Sequence, residues 1–276
     1  MPQTLAEIKT LLESRGLSPR KRFGQNFLID HNLVRKLVDE SGVGAGDLVL
    51  EVGPGTGTLT EELLERGCEV IACELDRGLA ALLRERLGSE EHFTLIEGDC
   101  LAQKREVSAE IVGAVAGRPF TLVANLPYGA ATPLMLALLT AHPDCRGMYV
   151  TIQKEVGERL AARAGQSAYG GISVAAQTLA TVRLIAKLPP ECFWPRPEIT
   201  SVMVAIERRA DHGIGDPVAF GEFCQRVFAQ RRKQLGSVLG RDIAWPEGIA
   251  PTLRAEALEP GQIVGLWRAT EGHGDE

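Results

Sequence analysis

Up to about residue 208 the chain alternates between short apolar runs of strand length and longer stretches whose apolar residues recur at helical spacing. The strand-like runs are DLVLEVG (47–53), CEVIACEL (68–75), HFTLIEGD (92–99), FTLVANL (120–126), GMYVTIQ (147–153), VRLIAKL (182–188) and SVMVAIER (201–208). Between them lie helical segments such as TLTEELLER and RGLAALLRERLG; the second has apolar residues at 79, 82, 83 and 87, with Gly88 placed as its C-cap. Seven strands separated by helices predict an α/β fold, a mostly parallel sheet with helices on both faces.

The alternation then stops. ADHGIGDPVAF reads as a linker and the remainder of the chain as helical, which sets a boundary near residue 210: a larger unit over 1–210 and a small helical unit over 211–276. At 100° per residue, Phe223, Cys224, Val227, Phe228, Leu235, Val238 and Leu239 share an arc of roughly 160°, which predicts one amphipathic helix running through them. Arg226 and Lys233 lie opposite that arc. Arg231 falls inside it, so it must pair with an acid or point into a cleft.

Composition changes the picture little. With 276 residues, 45% of them apolar and 24% charged, the chain is long enough for a sizeable core and ordinary for a soluble globular protein. No apolar run reaches the ~18 residues of a membrane helix. The start, MPQTLAEIKTLLESRG, is polar and amphipathic rather than of signal-peptide type. Six cysteines are scattered without a C-x-x-C pair, which argues against zinc and against a disulfide framework. The expectation is a cytoplasmic, reduced, metal-free protein. A net charge of −6 argues weakly against nucleic acid, but partners respond to local clusters. Two basic clusters exist: SPRKRFGQNF, with Arg20, Lys21 and Arg22 in a segment of about 15–30, and QRVFAQRRKQL, with Arg226, Arg232 and Lys233.

Candidate chemistry gathers at the strands' carboxyl ends, where open α/β sheets bind ligands. The first strand leads through Gly53, Gly55 and Gly57 into a helix, a turn that lets backbone approach a ligand near the helix N-terminus. Glu74 ends the second strand, where an acid can accept from both ribose hydroxyls. A dinucleotide site stays open at this point, although its fingerprint needs Gly or Ala at position 58 and the residue is Thr58. Asp99 ends the third strand, placed to accept from an adenine amine. In this order the three signals favour S-adenosylmethionine over a dinucleotide, and no Walker-type phosphate loop is present.

The fourth strand delivers Asn125-Leu126-Pro127-Tyr128. An exocyclic amine on a base is a poor nucleophile because its lone pair is delocalised into the ring. Acceptors aimed at its N–H groups favour the pyramidal form that can attack. The Asn125 side-chain oxygen and a backbone carbonyl of the Leu126–Pro127 segment can supply two. Pro127 fixes the turn, and Tyr128 offers a ring on which a planar base can stack.

These motifs, with GQNFLID, QKEVGERL followed by AYGGISVAAQ, FWPRPEITS and FAQRRKQL, resemble the small-subunit ribosomal RNA adenine dimethyltransferases over about residues 20–240. Relatives of that family include erythromycin-resistance methyltransferases and mitochondrial transcription factor B. The resemblance implies a Rossmann-like methyltransferase domain followed by a small helical, RNA-binding one. It implies cofactor contacts at Asn26, Leu28, Gly53, Glu74, Asp99 and Asn125, and base-holding roles for Tyr128 and Phe193. It also implies dimethylation of two adjacent adenosines in small-subunit rRNA, within an immature subunit, by a monomer. Two departures stand out: Gly129 follows NLPY where many members have Asn, and QLGS (234–237) replaces T-L-R-N. Two alternatives remain open, an adenine methyltransferase acting on large-subunit rRNA and a non-catalytic assembly factor that keeps the fold.

Overall fold

A computed structural model describes residues 3–271 with the exception of Lys104. Its main sheet has seven strands: β1 (Leu48–Val52), β2 (Glu69–Glu74), β3 (Phe93–Glu97), β4 (Phe120–Asn125), β5 (Cys145–Gln153), β6 (Ala180–Leu188) and β7 (Ser201–Arg208). They lie in the order β3-β2-β1-β4-β5-β7-β6. Only β7 runs against its neighbours, with Val204 opposite Val150 and Leu184; the other strand pairs are parallel. All seven predicted strands are present, and the largest difference at either end is two residues.

The helices are α1 (Leu5–Glu13), α2 (His31–Ser41), α3 (Thr58–Glu65), α4 (Arg77–Leu87), α5 (Ala109–Val115), α6 (Tyr128–Ala141), α7 (Lys154–Ala161), α8 (Gly171–Leu179), α9 (Pro217–Ala229), α10 (Leu235–Leu239) and α11 (Pro260–Glu271). Their ends follow local chemistry: Asp30 and Asp76 accept from the first-turn amides of α2 and α4, as N-cap acids do. Strand alternation sorts the core. Leu50, Ile71, Leu122, Val150 and Val204 face α5, α6 and α8, while Val49, Val70, Val123 and Met203 face α2 and α3. Every residue of β1 is buried, as expected for a strand covered on both sides.

The C-terminal helices share the first of these cores. Phe220, Phe223, Cys224, Val227 and Trp267 are continuous with the sheet's buried face, and the Phe220 and Trp267 rings meet edge to face at 5.4 Å. Two expectations are corrected. The last residues of the supposed linker form the start of α9, capped by Asp216 with Pro217 in the first turn, a favourable arrangement that the Gly-rich surroundings obscured. The predicted continuous helix through 223–239 instead breaks after Ala229 and resumes at Leu235. Arg231 stands in that break and meets the acid its position demanded. Its Nε donates to Glu256 at 2.9 Å, and its Nη1 donates to the carbonyls of Ser167 and Tyr169 at 2.9 and 3.2 Å.

Among the described residues no helix is long and apolar enough to cross a membrane, and no group of three or more His, Cys, Asp or Glu side chains could hold a metal ion. All six cysteines are free thiols.

Tyr169 ties α8's approach to the C-terminal segment. It is fully buried, its hydroxyl donates to the Leu258 carbonyl at 2.8 Å, and its ring meets Phe228 edge to face. Tyr169→Phe leaves that carbonyl without its donor and is expected to cost ~1–3 kcal/mol of stability. Urea unfolding checks this; an unchanged midpoint would show that the hydrogen bond contributes nothing.

Candidate active site

The strand order reverses between β1 and β4, and a cleft opens beyond their carboxyl ends. Gly53 and Gly55 shape its floor, with φ of +74° and +63° that L side chains rarely adopt. Their missing Cβ atoms also matter: at Gly53 one would lie 3.2 Å from Pro127 Cδ, and at Gly55 one would lie 2.9 Å from the Phe27 ring. The glycine loop, the 125–128 segment and the N-terminal segment therefore meet at backbone distance.

Asn26, Leu28, Gly53, Gly55, Glu74, Asp99, Asn125, Leu126, Pro127 and Tyr128 all line this one cleft. Two of the residues expected at the cofactor or the base do not. Gly57 begins α3 with φ +90° and faces Leu83, where a Cβ would sit 3.0 Å from Cδ2; it is a packing position. Phe193 is 3% exposed, pairs with Leu28 across a two-residue ladder and packs with the α2-side core. Its ring is not among the side chains that line the cleft. Tyr128, Phe23 and Phe27 supply the cleft's rings.

Glu74 is 6% exposed, with Oε2 accepting from the Gly55 amide at 3.1 Å and Oε1 from the Asp76 amide at 2.8 Å. Each oxygen keeps a further lone pair for a diol. Burial pushes its carboxyl up to about 7, against the pull of those amides. Leu75 beside it is 47% exposed and forms an apolar wall. Asp99 is exposed, and its Oδ1 accepts from the Leu101 amide at 3.0 Å.

The Asn125 amide is oriented by its neighbour: Nδ2 donates to the Asn26 carbonyl at 2.9 Å. That leaves Oδ1 without a hydrogen bond among the described residues. The Pro127 carbonyl accepts from the Ala130 and Ala131 amides of α6, so of the Leu126 and Pro127 carbonyls that of Leu126 is the one without a hydrogen bond among the described residues. The half-buried Tyr128 ring is anchored by its hydroxyl, 3.1 Å from Ser201 Oγ on β7.

The cleft also holds Glu51, which the sequence pattern did not bring forward. It is 1% exposed, accepts from Thr60 Oγ1 at 2.7 Å, and burial pushes it up to about 8. An acid within an otherwise apolar strand run was the available signal. Nothing in the pattern marked Phe27.

The basic clusters divide. Arg20 is drawn to the buried Asp76 at 3.4 Å, with Gln25 also donating to Asp76 at 3.1 Å, so it braces the segment as well as meeting solvent. Arg22 is exposed and lies over the Phe23 ring at 4.6 Å. Lys21 falls in the same turn, and its side chain lies outside the described atoms. Arg226, Arg232 and Lys233 are exposed, and none makes an ion pair among the described residues. Arg226 lies over Phe223 at 5.4 Å.

Fold and cleft together define an α/β methyltransferase. The pattern of the ribosomal RNA adenine dimethylase family matches residues 16–266, and the chain belongs to that family. It is 41% identical over 267 residues, 94% of each chain, to a ribosomal RNA small subunit methyltransferase A of Magnetococcus marinus. It is 40% identical to the protein of that name from Moorella thermoacetica, over 93% of this chain and 92% of the other. Among solved structures it resembles a dimethyladenosine transferase from Plasmodium falciparum (TM-score 0.72, 20% identity, 89% of this chain and 97% of that one). It also resembles the 23S rRNA methyltransferase ErmE (TM-score 0.67, 22% identity, 89% and 100%).

Glu74 makes a signed prediction. Its carboxyl is raised from an ordinary 4.5 to about 7 on folding, so between those values the folded chain holds a proton that the unfolded chain has lost. The contribution is neutral below about 4.5, grows more destabilising as pH rises from there to about 7, and is constant above that. Stability measured against pH should fall less steeply across this window in Glu74→Gln than in the parent chain; equal slopes would sink the assignment.

Proposed function

We propose that this chain uses S-adenosylmethionine to dimethylate the exocyclic amines of two adjacent adenosines in small-subunit rRNA, acting as a cytoplasmic monomer on an immature subunit. The observation that carries the reading is the Asn125 amide, held by Asn26 with its oxygen uncommitted, in the cleft that also holds Glu74. The family and its small-subunit relatives support the choice of substrate.

The residues present fit an adenosyl cofactor. Glu74 retains acceptor capacity for ribose hydroxyls, exposed Leu75 offers a face to a flat ring, and Asp99 can accept from an amine. When bound, the cofactor supplies an electrophilic sulfonium methyl group. The chain's own work is positioning. Asn125 Oδ1 and the Leu126 carbonyl accept from the target amine's N–H groups and draw its lone pair out of conjugation. Tyr128 holds the base by its ring face, steadied by Ser201, once the base has left its RNA stack. The released proton can depart to water, so no strong general base is assigned. Arg22, Arg226, Arg232 and Lys233 supply exposed cations for phosphate despite the net charge of −6.

The decisive experiment offers labelled S-adenosylmethionine with immature small subunits, mature subunits and naked rRNA, followed by nucleoside analysis. Label in dimethyladenosine from the immature subunit is expected. Label confined to large-subunit RNA would move the substrate to the ErmE-like alternative, and no label at all would leave an assembly factor. In the same assay Asn125→Ala should lower the single-turnover rate far more than it weakens RNA binding, because its hydrogen bond strengthens only in the transition state.

Neutralising Arg226, Arg232 and Lys233 together should weaken subunit binding and lower the magnitude of the log K against log salt slope by about 0.7–0.9 for each phosphate no longer neutralised. An unchanged slope would remove this surface from the RNA interface.

A further inference from the structure

Helix α1 precedes the segment that the family pattern matches, residues 16–266. A capping box between Thr4 and Glu7 starts it, and Ile8 and Leu12 are buried against Leu79, Leu82, Leu83 and Leu87 of α4. Docked there, α1 brings Gln3 against the outside of the glycine loop. Gln3 is 6% exposed, and its Nε2 donates to the Thr56 carbonyl at 3.0 Å and to Glu61 Oε2 at 3.3 Å. Arg86 of α4 donates to the same Thr56 carbonyl and to Glu61. Thr56 stands between Gly55 and Gly57, is 2% exposed and forms part of the cleft wall.

We propose that Gln3 and Arg86 are positioning residues for the cofactor, clamping the Thr56 carbonyl so that the glycine loop is ordered before binding. Gly53, Gly55 and Gly57 all have positive φ and no side chains to hold them. Glycine has the most conformational freedom to lose, and a loop already frozen does not charge that loss to binding. Two donors converge on one carbonyl, Gln3 from just ahead of α1 and Arg86 from α4, and Glu61 in the first turn of α3 accepts from both. Gln3 Oε1 is buried without a partner among the described residues, a poor arrangement for a group whose task is stability alone.

The proposal rests on S-adenosylmethionine occupying this cleft, and the experiment separates the two ideas. Calorimetric titration of the parent chain with S-adenosylmethionine tests the cofactor; no binding there overturns both. Given binding, Arg86→Met should raise Kd about tenfold and Gln3→Ala about threefold, the loss of one to two hydrogen bonds, with Arg86→Lys partly restoring affinity. RNA affinity without cofactor should stay unchanged. In the cofactor-free protein, amide hydrogen exchange over residues 53–58 should quicken while that of β4 and β5 holds. Gln3→Ala lies at the edge of the fold and keeps the test open if Arg86→Met fails to fold. Unchanged Kd and exchange, or equal losses of melting temperature and of both affinities, would show a structural staple and overturn the clamp.

Discussion

The site depends on one topological constraint: β1 and β4 are neighbours whose connections leave on opposite faces of the sheet. Helix α3 after β1 packs with Val49 and Val70, whereas α6 after β4 packs with Leu122 and Val150. No crossover can cover both strand ends, so a crevice stays open between Gly53 and Asn125. Its width is set by absent atoms. Glycine at 53 and 55 lets the loop touch Pro127 and Phe27 directly, and a methyl group at either place would push the walls apart. Hence segments far apart in sequence act as one surface.

Within that surface the acids are held against the preference of burial. Glu51 and Glu74 sit in the same cleft, and a charge on Glu74 raises the cost of ionising Glu51. Thr60 and the Gly55 and Asp76 amides offset part of the burial cost. A solvent-facing carboxylate would carry no such penalty, but would also be surrounded by competing water. Desolvation makes each hydrogen bond to an incoming hydroxyl count for more.

The C-terminal helices combine two duties. Their buried face, Phe220 through Trp267, continues the sheet's core, which fixes their orientation. Arg226 on α9 and Arg232 and Lys233 in the break after it are exposed. The break after Ala229 separates Arg226 from the other two and frees Arg231 to turn inward to Glu256. A local cationic surface can thus exist on a chain that is acidic overall.

The sequence by itself determined the strands, their alternation with helices, and which residue types stand at the strand ends, because periodicity and burial act over a few neighbouring positions. Glu74, Asp99 and Asn125 were legible for that reason. Tertiary structure decided what those residues touch. Phe193 and Tyr128 are both aromatic and both read as base-holding, yet one lies in the core and the other lines the cleft. Arg20 read as part of a basic cluster for nucleic acid and Arg231 as a cation for some unnamed acid or a cleft; their partners, Asp76 and Glu256, stand 56 and 25 positions away. Gln3 reaches the glycine loop across 53 positions. Such pairings are chosen by packing of the whole chain, since a charge or amide carries no local signal of which distant partner the fold will set beside it.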